Sequence, residues 1–324
     1  MSSRREILTE LQPTASTHAG VWLETALPDV AGKDSFKQDH ILEILKNVRI
    51  PGDYPRFFAR WRSSLEGMAD TRTAEARVSG RMVVGLGAEA VLETSISLHR
   101  TYGVPYIPGS ALKGLAAAAA HKRLEHEEWR KVKADGAMGE SHRILFGDHE
   151  SGGYVTFHDA LWIPEGDKLP LDLDVMTVHH ADYYQSGGVP PADWDNPTPV
   201  PFLTARGKYL LAVTGPEEWT EAALDILREA LKLDGIGAKT AAGYGRMSLP
   251  EGPKAEKVIW EPLVASLNFG NAANVVPRIL GQLKGAERLK VAQAMVQRLG
   301  QKEVRKRQEK EWAKMLLEAA PART

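Results

Sequence analysis

The sequence predicts an α+β chain built on a ferredoxin-like antiparallel sheet with helices on one face. Three observations carry this expectation. Between residues 81 and 249, extended and helical patterns follow the order strand, helix, strand, strand, helix, strand. A glycine-rich loop, residues 235–246, joins the second of those helices to the last strand. Helical patterns also flank this core at both ends. The expected organisation is an N-terminal helical extension over 1–76, a core over 77–250 with an insertion at 164–201, and a C-terminal helical segment over 251–324.

In the N-terminal extension, Ser35 is placed to cap a helix carrying Phe36, Ile41, Leu42 and Leu45, and Ile50-Pro51-Gly52 ends it. Tyr54, Phe57, Phe58, Trp61, Leu65 and Met68 then recur at three-and-four spacing on one face of a second helix. Arg81-Met82-Val83-Val84 reads as a buried strand, followed by an extended piece over 90–99. Ser110 is the expected N-cap of a helix running from about Ala111 to Lys133. Residues 154–163 alternate as a strand with Val155, Phe157, Leu161 and Ile163 on one face. Residues 202–213 form another extended stretch, turned or bulged at Gly207.

Pro216-Glu217-Glu218 opens the second core helix with carboxylates where the macrodipole favours them. Its buried stripe is Trp219, Ala223, Ile226, Leu227 and Ala230, and Lys232 and Gly235 close it. A short strand over 245–249 completes the core. The proline-rich insertion at 164–201 is long enough to be functional, and its 171–179 portion alternates weakly, which suits a β-hairpin arm. Folding back over the chain's own core is its alternative. Beyond Pro253, Leu289, Ala292, Met295, Val296 and Leu299 mark a helix, and the charged run 301–310 reads as a solvated helix face.

Composition bounds the function. The chain is 43% hydrophobic and 26% charged, no run is long enough to span a bilayer, and the start leads into no secretory signal. The chain has no cysteine, which excludes disulfides, thiolate zinc sites and a cysteine nucleophile, and suits a cytoplasmic location. A net charge of −1 counts against nonspecific coating of nucleic acid, but not against a local basic groove.

The 235–246 loop, Gly-Ile-Gly-Ala-Lys-Thr-Ala-Ala-Gly-Tyr-Gly-Arg, combines four glycines with two cations and an aromatic. Glycine permits positive φ and close approach, cations contact phosphates, and tyrosine can stack on a base. A helix cap needs only one of those glycines. The loop is not a Walker A motif, because Ala238 stands where glycine is required and the loop follows a helix instead of preceding one. Gly85-Leu86-Gly87-Ala88-Glu89-Ala90 matches a loose dinucleotide fingerprint, but an extended stretch follows it. Pro108-Gly109-Ser110-Ala111-Leu112-Lys113-Gly114 offers a helix start whose free N–H groups attract anions, with Lys113 beside it. His179 and His180 are adjacent on an extended segment and point to opposite faces, a poor acid–base pair. Asp159, beside His158, reads as a hydrogen-bonded structural aspartate. Metal, cofactor, small-molecule substrate and catalytic residues are all expected to be absent.

Residues 106–114 and 235–246 together resemble the repeat-associated mysterious proteins (RAMPs) of CRISPR systems, whose diagnostic feature is such a glycine-rich loop. Residues 145–147, 157–160 and 175–184 are similar to the sixth-subunit family of Cmr (type III-B) complexes. The likeness covers about residues 77–249, more weakly the N-terminal helices. It implies an RNA-recognition-motif-like core, and a non-catalytic subunit that binds the guide RNA (crRNA) near its 3′ end. That subunit would contact other Cmr subunits, and target RNA indirectly, in antiviral defence. By carry-over, Ser110 and Lys113 at the helix start and Gly237, Lys239, Thr240, Tyr244 and Arg246 in the loop are the expected RNA-binding residues. His180 and Tyr184 join them from the insertion, which would reach toward RNA or a neighbouring subunit. Ala111 replaces a serine usual in the family, which removes one hydroxyl contact. A guide-processing endoribonuclease on the same fold and a purely structural adaptor are the alternatives.

Overall fold

A computed structural model of the chain describes residues 10–27, 34–132, 136–178, 190, 198–250, 260–281, 283 and 285–320. Two units emerge, Met1–Pro250 and Glu251–Thr324. The first opens with helices α1 (Ala19–Thr25), α2 (Asp34–Asn47) and α3 (Tyr54–Glu66). On α3 the expected stripe is inside: Tyr54, Phe58 and Leu65 are buried, and Phe57 and Trp61 pack against the core. Met68 lies beyond the helix and is exposed.

Helix α2 turns a different face inward than its hydrophobic residues suggest. Asp34 and Ser35 already belong to the helix, and Lys37, His40, Ile41 and Ile44 are buried while Phe36 and Leu42 are exposed. Partners distant in sequence explain the reversal. Lys37 Nζ pairs with Glu93 Oε1 at 2.9 Å, and His40 stacks on Trp22 and hydrogen-bonds the Trp22 carbonyl. A buried lysine is tolerable only with such a partner.

The core then runs β1 (Thr71–Val78), β2 (Tyr106–Ile107), α4 (Gly109–Arg123), α5 (Glu140–Phe146), β3 (Thr156–Phe157), β4 (Ala160–Trp162), β5 (Leu171–Val178), β6 (Thr198–Ala205), β7 (Lys208–Thr214), α6 (Glu217–Leu233) and β8 (Met247–Ser248). The main sheet has the order β2-β4-β7-β1-β8, and every pair is antiparallel. Leaving out the edge strand β2, this is the ferredoxin-like arrangement, in which the first and third core strands lie at the centre. Residues 209–213 of β7 are all buried, so this strand has no solvent face.

The first core strand is Thr71–Val78, not residues 81–84 as the pattern suggested. Its Thr-Arg-Thr-Ala-Glu-Ala-Arg-Val sequence carries little apolar signal, and it is specified by a seven-residue register with β7. Residues 154–163 also depart from a single strand. The register passes from Phe157↔Val213 to Leu161↔Leu210, so one extra residue forms a bulge at His158 and Asp159. There the Asp159 carboxylate accepts the Gly109 N–H at 2.7 Å and caps α4 from across the chain. Gly109 is required here, because a Cβ would lie 2.1 Å from the Phe157 carbonyl oxygen.

Helix α4 therefore starts at Gly109 with Ser110 exposed in its first turn, where Ser110 itself was expected to be the cap. It ends at Arg123, ten residues before the expected Lys133. The chain folds back because Arg130 donates to the His121 carbonyl and the Lys131 N–H donates to His121 Nδ1. The 202–213 stretch divides at Gly207 (φ 95°) into β6, which forms a separate two-stranded sheet with β5, and β7. On α6, Ala223, Ile226, Leu227 and Ala230 are buried as expected, joined by Thr220 and Leu231.

The second unit contains α7 (Trp260–Ala265), α8 (Ala272–Leu280), α9 (Gly285–Leu299), α10 (Gln301–Arg305) and α11 (Glu311–Ala319). Val276, Ile279, Val291, Met295, Trp312 and Leu316 lie in its core. The charged run 301–310 begins as α10 and continues as turns, so it is not one helix face.

Removing the cap at the bulge should cost stability. Asp159→Ala is expected to lower unfolding free energy by about 1–2 kcal/mol, while Asp159→Asn keeps the acceptor and loses less. Urea unfolding of the two variants checks this; equal losses would show that the carboxyl oxygen does not cap α4.

Candidate functional site

Residues 81–84 lie between β6 and the glycine loop. On one side the Met82 N–H donates to the Ala205 carbonyl at 2.9 Å, and the Ala205 N–H donates back. On the other, the Ala238 and Gly245 N–H groups donate to the carbonyls of Val83 and Arg81, each at 2.8 Å. The loop also closes on itself, with the Ile236 N–H donating to the Gly245 carbonyl at 2.9 Å.

These contacts account for most of the glycines. Gly235, Gly237, Gly243 and Gly245 all have positive φ. A Cβ at Gly237 would lie 2.2 Å from the Val83 carbonyl oxygen, and one at Gly245 only 1.9 Å from that of Ile236. Gly243 alone has open space around it. Three of the four glycines are thus explained by packing within the chain, so the glycine count is weaker evidence for a ligand than the sequence suggested. Lys239 also has positive φ, 57°, which is unusual for a residue with a side chain.

The loop's side chains meet the stem of the β5–β6 hairpin. The Tyr244 hydroxyl donates to Asp174 Oδ2 at 2.5 Å, and the Arg81 guanidinium bonds the same oxygen. Lys239 Nζ lies 5.8 Å from the centroid of the buried Phe202 ring, a cation–π contact. Burial pushes the Asp174 carboxyl up, but the hydrogen bonds from Tyr244 and Arg81 outweigh it and hold Asp174 below its ordinary value. The same bond raises the Tyr244 phenol. Tyr244 is therefore an anchor whose hydroxyl is already engaged. Along the hairpin, burial fades from Leu171 and Ala205 at the base to exposed Val175 and Thr177.

Between the loop and α4 lies a cleft of about 560 Å³. Small residues of α4 (Ala111, Ala118, Ala119) face Gly235 and Gly237 across it, and its polar lining includes Lys122, Thr240 and Arg246. Asp234 also lines it but is held by a bidentate contact from Arg123 at 2.6 and 3.0 Å, which keeps its pKa low. Among the described residues the Arg246 guanidinium makes only long hydrogen bonds, 3.5 Å each, to the Lys232 and Thr240 carbonyls. The cleft can thus receive an extended anionic chain, with small side chains allowing close approach and two cations at its wall.

The structure brings Gly237, Thr240 and Arg246 to this cleft, with Lys239 next to Thr240 and turned toward Phe202. Lys113 and Ser110 are on the first turns of α4, but neither lines the cleft. Asp159 already supplies the negative charge that the start of α4 attracts. His180 and Tyr184 lie outside the described residues. Sequence reasoning missed Lys122, Arg123, Asp174 and Arg81. Lys122 was legible, since it recurs at three-and-four spacing with Ala111, Leu115, Ala118 and Ala119; the ion pairs were not. Of the described histidines none lines this cleft, and His158 bonds Thr214 Oγ1 at 2.7 Å beside the capping bulge.

The sequence profile of the RAMP superfamily matches residues 75–248. The chain is 34% identical over 261 residues to the CRISPR system Cmr subunit Cmr6 of Pyrococcus furiosus, covering 64% of this chain and 77% of that one. It is 22% identical over 227 residues to the Cmr6 subunit of Saccharolobus solfataricus, covering 68% and 74% respectively. A chain in the cryo-EM structure of the Type III-B Cmr-beta bound to cognate target RNA superposes with a TM-score of 0.53 at 21% identity, over 67% of this chain and 72% of that one. That last likeness is one of fold.

The clamp on Asp174 makes stability depend on pH in a stated direction. Because folding lowers this pKa, its contribution is complete above the unfolded carboxyl's value of about 4 and is lost as pH falls through the lower folded value. Asp174→Asn is expected to be less stable at neutral pH and to show a shallower acid decline. Urea unfolding across a pH series measures both; parallel pH profiles for variant and wild type would rule the clamp out as a contributor.

Proposed function

The chain belongs to the RAMP superfamily, and on that premise we propose that it is the Cmr6-type subunit of a type III-B CRISPR ribonucleoprotein. It binds guide RNA and performs no chemistry of its own. The observation that carries this reading is the cleft between α4 and the glycine loop, with Lys122, Thr240 and Arg246 on its wall. The elements that build it fall inside the residues matched by the RAMP profile. Phosphate contacts there fix the RNA without reading its sequence.

In this reading Lys239 and Arg246 supply the charge, Gly237 sets the RNA-facing loop close against Val83, and Ser110 and Lys113 extend the contact along α4. The β5–β6 hairpin leads toward His180 and Tyr184, which take part in contacts with RNA or a neighbouring subunit. The guide's 3′ end lies at this subunit, and target RNA is met only through the guide. The assembly acts in the cytoplasm, alongside other Cmr subunits that supply catalysis.

The reading makes binding ionic. Lys239→Ala with Arg246→Ala is expected to weaken guide-RNA binding by about 1.5–3 kcal/mol per lost charge-assisted contact, leaving the melting temperature nearly unchanged. Fluorescence anisotropy with guide RNA, beside thermal unfolding, tests this. Normal RNA affinity in the double variant would make the loop a structural or protein-docking element.

A further inference from the structure

The charge of this chain is unevenly divided. Residues 1–250 carry 27 Lys and Arg against 34 Asp and Glu, whereas residues 251–324 carry 14 against 8. A net charge of −1 therefore conceals a strongly basic second unit, and that unit lies outside the region matched by the RAMP profile.

Within it, cations gather on α10 and the turns that follow. Lys302, Arg305, Lys306 and Lys310 are exposed and Arg307 is half-buried. Glu303 pairs with both Lys306 at 2.7 Å and Arg307 at 2.9 Å. Among the described residues no ion pair engages Lys302, Arg305 or Lys310. The Arg307 guanidinium lies 4.1 Å from the centroid of the Phe269 ring, which is 40% exposed. Solvation of a charged helix face explains free lysines, but it does not explain an arginine laid over a part-exposed aromatic ring that also neighbours Trp312.

We infer that this face of the C-terminal unit is a second binding surface for single-stranded RNA. Lys302, Arg305 and Lys310 neutralise phosphates, and the Phe269–Arg307 stack offers a plane for an unpaired base. Cations interleaved with aromatic or guanidinium planes are how single strands are held without sequence preference. An acidic protein surface would satisfy the cations but would make no use of the stack. The inference stands on the second unit alone and is independent of the glycine-loop reading.

The test uses the full-length chain and a labelled oligouridine. Lys302→Ala, Arg305→Ala and Lys310→Ala together should lower low-salt affinity at least tenfold. They should also flatten the slope of log affinity against log salt by about 2, since each single-strand phosphate contact contributes about 0.7. Lys302→Arg with Lys310→Arg should retain wild-type binding, which separates lost charge from a disturbed fold. In a Lys239→Ala, Arg246→Ala background the residual salt-dependent binding should persist and then vanish when the three alanines are added. Unchanged affinity and slope in the triple variant would overturn the inference. So would intact RNA binding with loss of co-assembly, which would point to an acidic protein partner.

Discussion

Two backbones in close contact set the geometry of the first unit. Residues 81–84 give the Val83 and Arg81 carbonyls to the glycine loop and exchange two hydrogen bonds with Ala205. The loop, the hairpin base and the segment between them are therefore held by main-chain bonds at distances no side chain could fit within. Such contacts tolerate almost no adjustment, because the neighbours of Gly237 and Gly245 are carbonyl oxygens and not the ends of flexible side chains. The position of the cleft against α4 follows from this contact. The loop forms one wall, and α4, fixed at its start by Asp159, forms the other.

Charge is arranged around that frame with three of its anions committed to structural partners. Asp159 caps a helix, Asp174 holds Tyr244 and Arg81, and Asp234 holds Arg123. Each carboxylate has a structural partner, and for Asp174 and Asp234 that partner lowers the pKa. Lys122 and Arg246 are left at the cleft with no carboxylate paired to either among the described residues. A near-neutral chain can in this way present a locally basic wall, since the balancing acids are already committed elsewhere.

Much of this was legible in the sequence, and the misses share a cause. The α6 and α3 stripes follow helical spacing and were found, as were the ferredoxin-like order and the loop itself. The strand Thr71–Val78 was missed because its inward residues are small and its identity is set by pairing with β7. On α2 the buried face carries Lys37 and His40, whose partners Glu93 and Trp22 lie elsewhere in the chain. The alternating 154–163 stretch conceals a bulge, because the pattern of side chains is continuous where the hydrogen-bond register is not. Local periodicity reports burial well; it does not report long-range polar contacts, and those decide the details of the site.

Lys239 occupies a backbone conformation in which glycine would rest without strain. Replacing it by glycine or asparagine is the substitution a search for thermal stability would choose first, and that search would remove one of the loop's two cations. The chain keeps a conformational cost of the order of 1 kcal/mol at a single position. A loop selected only for rigidity would not carry that cost, so resistance to heat and retention of this ammonium group are competing demands at residue 239.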